Sequence, residues 1–121
     1  MYPASAWFAA FAITVAIEVP IVATLVRRWA PSLVRLLLLI VFANLATHPL
    51  VWFVFSQPFL VGTPEYTIAS EAWAVAAEAA FYWTVLSGIS PTRAVLVSLT
   101  ANVASFMVGL VVVELVPDLF V

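Results

Sequence analysis

Residues 35–47 read RLLLLIVFANLAT, and residues 93–105 read RAVLVSLTANVAS. Both follow R-x7-A-N-[LV]-A-[ST] without a gap: an arginine, two apolar turns, then an asparagine and a hydroxyl set into a stretch otherwise suited to hydrocarbon. The segments before them also correspond. TVAIEVPIVATLV (14–26) lies over AVAAEAAFYWTVL (74–86), aligning Glu18 with Glu78 and Thr24 with Thr84. The pattern predicts a helical hairpin used twice within one domain of residues 1–121, the first copy spanning 1–57 and the second 63–121.

The solvent around these hairpins follows from composition. The chain is 66% hydrophobic and only 8% charged, with a mean hydropathy of +1.21. So few charged side chains cannot cover that much apolar surface in water, whereas a bilayer asks for no cover. A membrane helix needs about 20 mostly apolar residues, and four segments qualify: 4–26, 34–55, 68–87 and 93–116. RRWAPS, SQPFLVGTPEYT and SGISPT separate them as turns. The first segment has no basic leader region and is too long for a cleaved signal, so it is read as a retained span. The expected fold is an all-α integral membrane four-helix bundle of two tandem hairpins, a parallel repeat with a pseudo-twofold along the membrane normal.

Arg27, Arg28, Arg35 and Arg93 are the only basic residues besides His48, and all four fall in or beside the 27–35 and 88–93 connections. Those connections share one side of a four-span chain, which makes it cytoplasmic and leaves both termini outside. A prokaryotic inner membrane suits that arrangement. Trp7, Trp29, Trp52, Trp73 and Trp83 fall near span ends, as interfacial anchors do. No basic patch exists for nucleic acid. The absence of cysteine excludes disulfides, thiolate metal sites and cysteine nucleophiles.

Glu18 stands nine residues before Arg27, Asn44 nine after Arg35, Glu78 nine before Ser87 and Asn102 nine after Arg93. At 1.5 Å per residue all four lie about 13 Å deep, near the middle of the hydrocarbon slab. Carboxylates at that depth cost several kcal/mol if they face lipid, so they are expected to face each other. A second tier lies one or two turns further out: Thr14, Thr47, His48, Glu71 and Ser105, on the same helix faces. Phe106, the counterpart of His48, breaks the symmetry. Pro20 and Pro49 free the carbonyls of Ala16 and Leu45, which could serve as further ligands.

Plainer roles compete with these. Asn44, Thr47, Asn102 and Ser105 also serve as interhelical glue, and the stripes Ala72-Ala76-Ala80 and Ala101-Ser105-Gly109 read as helix-contact ridges. Glu18 and Glu78 are the hardest to explain by packing alone. The oxygen-rich set suits a hard cation or a shared proton. No di-iron motif, nucleophile elbow, P-loop or dinucleotide glycine pattern occurs, which argues against a conventional enzyme. No cofactor is assigned. The favoured reading is a transporter-like protein with Glu18, Asn44, His48, Glu78, Asn102 and Ser105 as its cation or proton site, and Thr14, Thr47 and Glu71 behind them. The alternative is an accessory subunit of a larger membrane complex, its polar column holding helices in register or touching a pigment, quinone or lipid. The lipid bilayer and either self-association or a larger complex are the expected partners.

Overall fold

The computed structural model describes residues 4–120, all-helical with no strand among them. Residues 1–3 and 121, which carry the ends of both expected repeats and the termini expected outside, lie beyond the described residues. The helices are α1 (Ala4–Val26), α2 (Leu33–Pro49), α3 (Pro64–Val85) and α4 (Pro91–Leu115), with a short 3-10 piece at Pro117–Phe120.

Helix ends follow local chemistry. The side chain of Ser32 caps α2 by accepting from the Arg35 N–H at 3.2 Å, and Ser90 caps α4 by accepting from Arg93 N–H at 3.2 Å. These are corresponding positions of the two hairpins, so the match begins three residues before each arginine. Thr63 caps α3 through the Tyr66 N–H, and Pro64 and Pro91 occupy first-turn positions where no N–H is missed. Gly88, with φ +82°, makes the turn between α3 and α4. After Pro49, α2 widens into a π-turn over Leu50–Val54, and the Phe55 N–H reaches the Leu50 carbonyl at 3.0 Å. Tyr66 Oη donates to the Val51 carbonyl at 3.2 Å and ties this widened segment to α3.

Short connections reverse the chain at each step. The helices close a ring in which α4 lies against α1 and α3, and α2 against α1 and more loosely against α3. Three elements are long and apolar enough to cross a membrane: Ala4–Trp29, Leu33–Val54 and Pro91–Leu115, with mean hydropathies of 2.2, 2.0 and 2.2. The 22-residue α3 is long enough but is not among them, and it carries Glu65, Glu71 and Glu78.

The interior has two unlike halves. Toward the arginine-bearing turns, Val22, Val26, Leu36, Ile40, Tyr82, Leu86, Ala94 and Val97 form a buried cluster, in which only Tyr82 carries a polar side-chain atom. From the level of Glu18 and Glu78 toward the α2–α3 loop, the interior is a cavity. The outward faces are apolar: Leu38, Phe42 and Leu45 on α2 and Leu99, Val103 and Met107 on α4 are exposed.

Two expectations about faces are corrected. Ala72, Ala76 and Ala80 are exposed, so that ridge contacts no helix of this chain. Ala76 is two residues from Glu78, about 200° around the helix, and cannot share its inward face. Ala101 and Ser105 are buried as a contact ridge should be. Ala16 and Leu45 are exposed and border no cavity, which takes their proline-freed carbonyls out of the candidate ligand set.

Candidate functional site

Glu18 and Glu78 are fully buried, on α1 and α3, and each is held by side chains from both hairpins. Thr47 Oγ1 on α2 donates to Glu78 Oε1 at 3.1 Å, while Ser105 Oγ on α4 donates to Glu18 Oε1 at 2.6 Å. Thr47 and Ser105 are the last residues of the two R-x7-A-N-[LV]-A-[ST] segments, so the bonds are reciprocal: each segment's hydroxyl serves the other hairpin's glutamate. The asparagines differ. Asn102 Nδ2 donates to Glu78 Oε2 at 2.8 Å, whereas Asn44, beside Glu18, donates its Nδ2–H to the Ile40 carbonyl at 3.2 Å.

The correspondence also breaks one turn before each asparagine. Ser98 donates to the Val75 carbonyl at 3.0 Å, with its hydroxyl 3.5 Å from Glu78 Oε2. Its counterpart in the first hairpin is Ile40, fully buried and without a donor. Through Thr47 and Asn102, Glu78 has both oxygens paired, whereas Glu18 Oε2 is buried with no hydrogen-bond partner. A buried carboxyl oxygen without a donor is costly unless something else occupies the space before it.

Beside this cluster lies a cavity of about 490 Å³. Glu18, Asn44, Glu78 and Asn102 border it, as do Thr14, Thr47, His48, Glu71 and Ser105, so all nine residues singled out in the sequence face one void. It runs from this level out to Val61 and Gly62 in the α2–α3 loop and Val113 on α4. Three carboxyls border it and neither Arg nor Lys does, so no basic side chain pairs with them. A smaller pocket of about 160 Å³ between α2 and α3, bordered by Trp73, Ala77 and Phe81, reaches Glu78 from the side.

His48 sits in an aromatic setting. Its ring stacks on Trp52 at 6.0 Å and meets Phe11 edge-on at 5.5 Å, and Nδ1 has no hydrogen-bond partner. Trp52 and Tyr66 also border the cavity, which gives Trp52 a place the anchor reading did not foresee. Among the described residues no group of histidine and carboxylate side chains is arranged to hold a metal ion. Sequence reasoning missed Ser98. It lies four residues before Asn102 on the same face, and that spacing was the available signal.

The chain matches no family model, no curated protein and no solved structure. The functional reading therefore rests on the geometry.

Proposed function

We propose that the chain is a small multi-pass membrane protein whose two hairpins are copies of one unit, and whose paired glutamates bind a cation or proton in a transporter-like cycle. The observation that carries this reading is the cavity with Glu18 and Glu78 at its inner end, one carboxyl oxygen of Glu18 being left unpaired. A void of this size beside two buried carboxyls is what a ligand site supplies and close helix packing does not.

Membrane insertion is supported by the outward apolar faces and by three elements of spanning length and hydropathy. The lower hydropathy of α3 comes from side chains turned away from lipid: Glu78 is buried and Glu71 half-buried, while its outer face presents alanines, Trp73 and Trp83. The four arginines are exposed at one end, which the positive-inside rule makes cytoplasmic, with both termini outside. On this reading the cavity faces the outer side, and the apolar half of the interior closes the path to the cytoplasm. Transport requires that lower half to part while the outer end shuts.

The test is a binding and unfolding assay on purified Glu18→Gln, Glu78→Gln and the double mutant, following proton release on addition of cation. Both substitutions weaken binding, Glu18→Gln the more, and the double mutant loses less than the sum of the two. Additive, independent effects would separate the carboxyls and end the shared-site reading.

The reading as a subunit, or as a self-associating protein, is favoured by one observation: the exposed Ala72-Ala76-Ala80 ridge is a surface suited to close approach by another helix.

A further inference from the structure

Resting on the cation-site reading, we infer that the ligand of the cavity is a small organic ammonium ion, its charged head among the carboxyls of Glu18 and Glu71 and its apolar body along the outer part of the cavity. Size is the first argument. About 490 Å³ is in the range of pockets that take whole organic molecules, and far exceeds what a proton or a bare ion fills. Coordination is the second. Glu78 has both oxygens engaged by Thr47 and Asn102, and among the described residues no carboxylate and histidine cluster is placed for a metal. The carboxyls left to a ligand suit one diffuse positive charge rather than a divalent ion that needs six or more oxygens.

The wall is the third argument. Outward from Glu18 the border is Ile13, Phe106 and Leu110 on one side and His48, Trp52 and Tyr66 on another. Apolar groups receive alkyl or aryl substituents, and aromatic faces attract ammonium groups through their quadrupole. Glu71 adds a third carboxyl on the way in, and no Arg or Lys borders the path. An ammonium head can take the place of a carboxyl proton here, whereas an anion meets three carboxyls and no basic side chain.

The experiment uses the full chain in detergent and isothermal titration with benzyltrimethylammonium chloride. Neopentylbenzene, the same shape with carbon in place of nitrogen, is the neutral control, and sodium and potassium chloride are the inorganic controls. Saturable binding of the ammonium is expected, with about a tenfold loss for Glu18→Gln and a similar loss for Trp52→Leu, each equivalent to about 1.4 kcal/mol. Circular dichroism melting of both variants verifies that they fold, and Trp52→Leu keeps the test decisive if Glu18→Gln does not. Equal affinity for neopentylbenzene, or ammonium binding unchanged by the folded variants, overturns the inference. Sodium, potassium or proton binding at Glu18 without ammonium binding overturns it while leaving the cation-site reading intact. Absence of every one of these bindings overturns both.

Discussion

Glu18 and Glu78 occupy matching positions, yet their surroundings assign them different work. Glu78 accepts from Thr47 and Asn102, one on each oxygen, so Glu78→Gln sets an NH2 group against a donor and is expected to cost roughly 1–3 kcal/mol of stability. Glu18→Gln keeps an acceptor for Ser105 and places its NH2 where no donor stands, so its cost is expected to be under about 1 kcal/mol. Unfolding in mixed detergent followed by circular dichroism checks both, and equal losses would remove the distinction. The convergence of Glu18, Asn44, Glu78 and Asn102 was legible because depth can be counted from the arginines at a fixed rise per residue. The division between the glutamates was not, because it depends on whether each asparagine turns its amide to the carboxyl, as Asn102 does, or to the carbonyl one turn back, as Asn44 does. The two asparagines stand in matching sequence, and nothing in the pattern separates them.

At the level of elements, the matched caps make a symmetric prediction. Ser32→Ala and Ser90→Ala each remove the same 3.2 Å bond to the N–H three residues on, and each should cost about 1 kcal/mol. The double mutant should show the sum, because the sites lie in different hairpins. A large difference between the two would mean that the turns are held by other forces, for which Trp29, lying between Arg28 and Arg93 with the guanidinium carbons 3.9 Å and 5.0 Å from its ring centre, is the nearest candidate. The exposed alanine ridge bears on association: cysteine at position 76 should cross-link between copies in membranes, and cysteine at position 74, which is buried, should not. Failure of Ala76→Cys to cross-link would count against self-association through this face. Helix existence and extent were legible from hydropathy and turn residues, with boundaries within a few residues. The facing of the α3 ridge was misread because small spacing marks a stripe without saying which side it takes. Glu78 two residues away held that information, since neighbours at that spacing point in opposite directions.

For the whole molecule, the decisive feature is that the two halves of the interior differ, one filled by apolar side chains and the other empty and carboxyl-bordered. Sequence alone placed the polar layer near mid-depth, but a cavity is a property of how far apart four helices stand. The π-turn after Pro49 and the looser α2–α3 contact belong to that spacing, which no residue pattern encodes. The chain contains no cysteine, so accessibility can be read from single introduced thiols. Thr67→Cys and Phe106→Cys border the cavity and should react with a membrane-impermeant thiol reagent applied from the side of the α2–α3 loop. Val22→Cys and Val97→Cys lie in the packed half and should stay unreactive from both sides in the state described here. Reaction at position 97 from the arginine-bearing side would place an aqueous path where the packed half stands, and reaction at all four positions from both sides would make the protein a pore. If positions 67 and 106 react only from the loop side while 22 and 97 remain protected, the cavity is one-sided. A one-sided cavity with a carboxyl at its closed end is what a carrier requires in one of its two states, since a site open to both faces at once would let the gradient collapse.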